Sequence, residues 1–201
     1  MYAWRRMTAG QRQAALRERR LHRQPWHSPP HRVADTSYYH ITAACYEHRP
    51  VVGLTAERMS EFEKTLLETV QPLCDQVVAW ALLPNHYHLL VRTLDIRRVL
   101  KELGRLHGRS SYQWNGDESR RGRKVWCNAL ETAIKSEGHF WATLNYVHHN
   151  PVRHGCVERW IEWQWSSAVG YLAQTGVAEA KRIWQHYPIQ KYGDGWDEPN
   201  L

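Results

Sequence analysis

Two histidines separated by one residue, His86 and His88, lie in the run Leu82-Leu83-Pro84-Asn85-His86-Tyr87-His88-Leu89-Leu90-Val91. In an extended backbone side chains alternate with a period of two, so both imidazoles point to one face, with Cα atoms roughly 6.5 to 7 Å apart. That spacing lets two neutral ring nitrogens converge on a single divalent cation. On its own a His-x-His pair also fits two surface histidines. A second segment supplies what the pair lacks. Tyr146 and Asn150, in Thr143-Leu144-Asn145-Tyr146-Val147-His148-His149-Asn150-Pro151-Val152-Arg153-His154-Gly155, are four residues apart and share one face of a helix. A tyrosine hydroxyl and a side-chain amide oxygen can therefore approach the same ion as the two histidines. A tyrosine has a reference pKa of about 10 and attacks a phosphodiester poorly at neutral pH, so a cation that neutralises and aligns the phosphate is the help it needs. No glycine-rich phosphate loop of the Walker type is present, which argues against a nucleotide cofactor.

The elements that must position these residues follow from periodicity. Val77 to Leu83 and Tyr87 to Val91 are apolar, β-forming runs joined by Pro84-Asn85, and they predict a hairpin over Val77 to Arg92 with Tyr87, Leu89 and Val91 facing the core. The tyrosine segment predicts a helix from Glu137, capped by Ser136, to His149, stopped by Pro151 and turned away at Gly155. Around these, a strand is expected at Ser37 to Cys45 and a helix at Ala56 to Val70. A second helix follows at Ile96 to His107, then a strand at Lys124 to Ile134 and a short helix near Ser167 to Ala173. The order β-α-β-β-α-β is that of an α+β ferredoxin-like (RRM-like) domain. An antiparallel sheet with helices on one face and a groove on the other would seat the histidines on the sheet, and the last helix must lean across to deliver Tyr146.

At this point the motifs carry a resemblance. His86-Tyr87-His88 resembles the signature of the HUH single-strand endonucleases, and Asn145 to Gly155 resembles the nucleophile segment of single-tyrosine transposases. Together with Trp26-His27-Ser28-Pro29-Pro30-His31, Gly122-Arg123-Lys124-Val125-Trp126 and Trp163-Gln164-Trp165-Ser166-Ser167, the pattern resembles the REP-associated tyrosine transposases over residues 26 to 170. The resemblance implies His86 and His88 as metal ligands, Asn150 as the third, and Tyr146 as nucleophile. His149, one residue away and a better ligand for softer divalent metals, stands as the alternative to Asn150. It also implies Mg2+ or Mn2+ as the metal, a 5′-phosphotyrosine intermediate, hairpin-bearing repeats in single-stranded DNA as substrate, and a monomer in preference to a homodimer.

Charge agrees with a nucleic-acid partner and shows where it would be held. Residues 1 to 32 carry eight arginines against the single acid Glu18, which accounts for the whole formal charge of +7. The arm, assigned to residues 1–35, thus offers Arg5, Arg6, Arg12, Arg17, Arg19, Arg20 and Arg23 for phosphate contacts that fix position without reading sequence. Two further clusters lie in the catalytic domain, assigned to residues 36–165. Arg97, Arg98, Lys101 and Arg105 line the polar side of the second helix, and Arg120, Arg121, Arg123 and Lys124 form a loop. Among eleven tryptophans, Trp114 and Trp126 flank that loop and are the candidates for stacking on bases. Residues 166–201 form a C-terminal extension with little periodicity and no assigned role.

Other classes fall away. The four cysteines have no paired metal spacing and suit a reducing cytoplasm, and no apolar run approaches a membrane span or a signal peptide. Two alternatives to the transposase reading remain open here. One is a non-catalytic single-stranded nucleic-acid-binding module on the same fold; the other is a metal-dependent hydrolase in which Tyr146 is structural.

Overall fold

The computed structural model describes residues 8–11, 13, 14, 17, 37–189 and 192. The chain divides into two compact units, Met1–Arg32 and Val33–Leu201. In the first, residues 9–11, 13, 14 and 17 are helical and Arg17 is exposed; the expected contacts at Arg5, Arg6, Arg12, Arg19, Arg20 and Arg23 lie outside the described residues.

The second unit begins with β1 (Tyr38–Ala44), α1 (Ala56–Val70), β2 (Gln76–Leu82), β3 (His86–Arg92), α2 (Ile96–Asp117) and β4 (Leu130–Ala133). It continues with α3 (Glu137–Arg153), α4 (Ala168–Thr175) and α5 (Val177–His186). The strands lie in the order β2-β3-β1-β4 and pair antiparallel throughout, which is the ferredoxin-like arrangement expected from the element order. Each long helix starts at a side-chain cap that accepts one of the orphan backbone N–H groups. Thr55 accepts from Arg58, Asp95 from Arg98, and Ser136 from His139.

One face of the sheet buries Tyr39, Ile41, Tyr87, Leu89 and Val91 against Phe62 and Leu66 of α1 and Val99 and Leu103 of α2. At about 1.5–3 kcal/mol for each fully buried large apolar side chain, this layer is the main source of stability. The other face is not an open groove. α3 lies across it, and Leu90, Ala79 and Ala81 pack against Leu144, Tyr146 and Val147. The amphipathic helix that carries Tyr146 has its own apolar residues to bury, and the uncovered sheet face is where they go.

Three boundaries differ from expectation. α2 continues past His107 to Asp117 because Ser110, Trp114 and Asn115 keep one side of the helix buried, although the intervening glycines and serines break the apolar period. The strand expected from Lys124 shrinks to Leu130–Ala133, with an isolated bridge between Cys45 and Trp126 ahead of it. Pro151 does not stop α3; it sits in the last turn, where it removes only one N–H, and the helix ends at Arg153. The actual terminator is Gly155, with φ +68, flanked by hydrogen bonds from the Gly155 N–H to Val152 O and the Cys156 N–H to Pro151 O. These are the paired bonds of a Schellman C-cap, which requires a residue in the left-handed region.

The Trp163-Gln164-Trp165-Ser166-Ser167 motif has a structural role on the free edge of β2. The Leu82 N–H donates to Trp165 O, the Ser167 N–H to Trp80 O, and the Trp163 indole to Leu82 O. An otherwise exposed row of strand donors and acceptors is thereby covered. Among the described residues no helix is long and apolar enough to cross a membrane.

Candidate active site

β3 delivers His86 and His88 to the face covered by α3, while Tyr87 between them points the other way and meets His107 Nε2 through its hydroxyl at 3.0 Å. Both metal candidates are fully buried, as are Tyr146 and Asn150. The rings of His86 and His88 are 5.0 Å apart, and the Tyr146 ring is 5.1 Å from that of His88.

The hydrogen bonds around His86 fix its proton. Asn85 donates its amide to His48 O at 3.0 Å, which turns its oxygen toward His86, so His86 Nδ1 must donate across the 2.5 Å contact with Asn85 Oδ1. If the ring is neutral, it then presents a lone pair at Nε2. Facing it at 3.0 Å is Asn150 Oδ1, another acceptor, while Asn150 Nδ2 is buried without a partner among the described residues. Two acceptors held together in a dry site need a cation between them, a second proton on the ring, or a turned amide. Two ligands at about 2.1 Å on adjacent octahedral positions lie about 3.0 Å apart, so the separation fits a shared divalent ion. The residues present therefore fit the expected metal. Among the described residues no cluster of three His, Cys, Asp or Glu side chains could hold one.

Sequence reasoning missed several neighbours. His40, on β1, places Nε2 3.2 Å from His88 Nδ1 and stacks on the same ring at 5.2 Å. For His88 Nε2 to bind a cation, Nδ1 must keep its proton and donate to His40; outer partners of this kind orient ligands in known metal sites. His154 sets its ring 4.9 Å from His86, and the Arg153 guanidinium lies 5.9 Å from the Tyr146 ring centroid. Tyr192 packs on Tyr146 at 5.4 Å while its hydroxyl contacts Thr143 Oγ1 at 2.5 Å and His139 Nε2 at 3.1 Å. Tyr146 itself has no exposed surface.

The remaining sequence candidates separate clearly. His149, one helical position round from Asn150, packs against Trp184 with ring centroids 4.9 Å apart and the planes tilted by 55°. Arg97, Arg98, Lys101 and Arg105 are exposed on α2, and Arg120, Arg121 and Lys124 are exposed after it. Arg123 is not a free phosphate contact: with Arg58 it clamps Glu118 in a half-buried network at 2.7–2.8 Å, and the Arg123 guanidinium beside Glu118 holds that carboxyl down at about 2. Trp114 and Trp126 do not present faces to DNA. They are 5% and 6% exposed, with Trp126 stacked on His107 at 4.5 Å and on Phe62 at 5.1 Å, and Arg58 set over Trp114. Proximity in sequence to the basic loop gave no information on which way the rings point.

Comparison with known proteins gives the site its context. No family model matches the chain. A Haemophilus influenzae protein named "Putative REP-associated tyrosine transposase" is 28% identical over 126 residues, covering 54% of this chain and 68% of that one. The solved structure of a REP-associated tyrosine transposase bound to a REP hairpin superposes with a TM-score of 0.57 at 18% identity, over 85% of this chain and 94% of the other. The two chains share a fold. In sequence and in fold, the chain resembles the REP-associated tyrosine transposases, as its motifs indicated.

Proposed function

We propose that this chain is a REP-associated tyrosine transposase that cleaves and rejoins single-stranded DNA at hairpin-forming repeats. The observation that carries the reading is the meeting, across β3 and α3, of Tyr146 with His88 and of His86 Nε2 with Asn150 Oδ1. His86, His88 and Asn150 would hold Mg2+ or Mn2+. When bound, the ion neutralises phosphate oxygens and aligns the phosphorus for in-line attack. Tyr146 Oη forms the new bond to phosphorus and gives up its proton, the bond from phosphorus to the 3′-oxygen breaks, and that oxygen takes a proton. The products are a 5′-phosphotyrosine and a free 3′-hydroxyl, and a second 3′-hydroxyl reverses the step to join strands. Arg153, whose guanidinium lies 5.9 Å from the Tyr146 ring, would meet phosphate charge near the nucleophile, and the exposed arginines of α2 together with the arginines of the arm would supply contacts that hold DNA without reading it. The relative with a solved structure is itself bound to a REP hairpin, which supports hairpin DNA as the partner.

The Tyr146→Phe substitution tests this. It keeps the ring and its packing and removes only the attacking oxygen, so hairpin binding persists and cleavage with Mn2+ disappears. Wild-type protein incubated with a single-stranded hairpin oligonucleotide labelled 3′ of the cut yields a denaturant-resistant adduct that peptide mapping assigns to Tyr146. Undiminished cleavage by the variant refutes the nucleophile; cleavage without an adduct points to water and a hydrolase; binding without cleavage in any metal points to a non-catalytic module.

A further inference from the structure

The strap from Trp163 to Ser167 does more than cover the edge of β2: it touches both layers that flank the sheet. Toward α1, the Trp165 indole donates to Ser60 Oγ at 3.0 Å. Toward α3, Ser167 Oγ meets His148 Nε2 at 2.8 Å. The same hydroxyl accepts from the Trp80 N–H at 2.9 Å and lies 3.3 Å from Trp80 O. A serine oxygen has one proton and two lone pairs. With Trp80 O taking the proton and the Trp80 N–H one lone pair, the second lone pair receives the proton of His148 Nε2. Ser167 is thus fully paired, and it joins the edge strand to the nucleophile helix.

Helix geometry gives that bond a consequence. At about 100° per residue, Tyr146 and Asn150 stand about 40° apart on α3, and His148 lies about 160° from each. Val147 and Leu144, between them, bury against the sheet. α3 therefore rests on the sheet along its middle. One flank lies at β1 and β3, where the Tyr146 ring is 5.8 Å from His40 and 5.1 Å from His88; the other lies at the β2 edge, where Ser167 holds His148. A roll of about 10° moves a group about 5–6 Å from the helix axis by about 1 Å. Apolar contacts along the middle are non-directional and resist such a roll weakly, whereas a displacement of that size breaks a hydrogen bond at the flank.

Packing alone does not account for a histidine at this place. His148 is 3% exposed, its Nδ1 has no partner among the described residues, and the rings of Trp160 and Tyr171 close on it at 5.8 and 5.0 Å. A leucine would fill the same space without burying an unpaired nitrogen. We infer that His148 and Ser167 are positioning residues that fix the roll of α3 and so hold Tyr146 and Asn150 at His88 and His86. The inference rests on the proposed DNA-cleaving function and assigns part of its geometry to a motif remote from the reacting atoms.

The test uses the full chain. His148→Leu fills the space and removes the donor; Ser167→Ala removes the acceptor. Misplacing a reacting group by about 1 Å costs about 100-fold, so kcat on saturating hairpin and Mn2+ should fall about 10- to 100-fold in both, with the hairpin Kd in EDTA unchanged. In a Tyr146→Phe background, where no cleavage intervenes, the Mn2+ affinity of the hairpin complex is read from the EPR signal of the free ion. It should fall about 10-fold as Asn150 moves off. A role in stability alone predicts otherwise, because His148→Leu relieves an unpaired nitrogen and should melt no lower than wild type while still losing kcat. His148→Gln, whose amide nitrogen reaches the place of Nε2, should recover most of the rate. Trp165→Phe, which loosens the strap on the α1 side alone, should lower the melting temperature and leave kcat intact. Unchanged kcat and Mn2+ affinity in His148→Leu and Ser167→Ala, with wild-type cleavage intact, overturn the inference and spare the proposed function. An equal loss of kcat in Trp165→Phe would make the strap a matter of stability only and overturns it as well. Failure of wild-type protein to cleave or form an adduct removes the proposed function, and this inference with it.

Discussion

The most discriminating perturbation of the candidate metal centre is at a residue that is not itself a proposed ligand. His40→Phe keeps a flat ring against His88 and Tyr146, whose centroids lie 5.2 and 5.8 Å away, and removes the nitrogen 3.2 Å from His88 Nδ1. If His40 holds His88 in the tautomer that exposes Nε2, its loss should weaken metal binding by about 10- to 100-fold, the usual effect of deleting an outer partner of a ligating histidine. That corresponds to about 1.4–2.8 kcal/mol, and the broken hydrogen bond should cost about 1–3 kcal/mol of folding stability as well. The assay is cleavage of a hairpin oligonucleotide across a Mn2+ titration, with denaturant unfolding run in parallel. The expected result is a raised half-saturating Mn2+ concentration with the saturated rate largely restored. An unchanged titration midpoint would refute the reasoning about His88; a fall in the saturated rate with no shift in midpoint would place His40 in the chemistry itself.

Two further predictions concern stability and the arm. Burial pulls the His107 pKa down to about 3. The unfolded chain, at about 6.5, takes up protons that the folded state refuses, so this contribution is intact above about pH 6.5 and is lost as pH falls toward 3; between pH 7 and 5 the loss is about 2 kcal/mol. Urea unfolding at the two pH values should show it, His107→Gln should remove that share, and equal pH dependence of the two proteins would count against it. Deleting residues 1–25 removes seven of the eight arginines of residues 1 to 32. Every phosphate of a single strand that the truncated protein no longer neutralises lowers the log–log salt slope by about 0.7, so hairpin binding should become weaker and less salt-dependent, and an unchanged slope would show the arm to be a bystander.

How much of this was legible in the chain depends on the kind of signal. Strands and helices declared by period were readable, and α1 runs from Ala56 to Val70 as its apolar spacing indicates. The pairing of His86 with His88 needed only the two-residue repeat of a strand, and the pairing of Tyr146 with Asn150 only the turn of a helix. His40 needed more. It reaches His88 because β1 lies antiparallel to β3 with Thr42 opposite His88 and His40 opposite Leu90, a register that no local pattern states. The choice between His149 and Asn150 likewise turns on about 100° of helix rotation, which depends on the face of α3 that meets the sheet. Trp114 and Trp126 failed as stacking candidates for the same reason, since their orientation is set by Phe62, which is distant in sequence.

The composition of the second face is itself an argument about function. One side of the sheet is closed by Phe62, Leu66, Val99 and Leu103, as hydrophobic burial alone would favour. The other side is closed by a helix whose contact surface brings His40, His86, His88, Tyr146 and Asn150 together with almost no exposure. Burying such groups costs free energy unless every polar atom is paired, and among the described residues Asn150 Nδ2 is not. Leucine and valine at these positions would pack the same interface more favourably. Departing from that packing preference here, in a pattern with the spacing proposed for metal ligands and a nucleophile, is what the proposed chemistry would require of the fold.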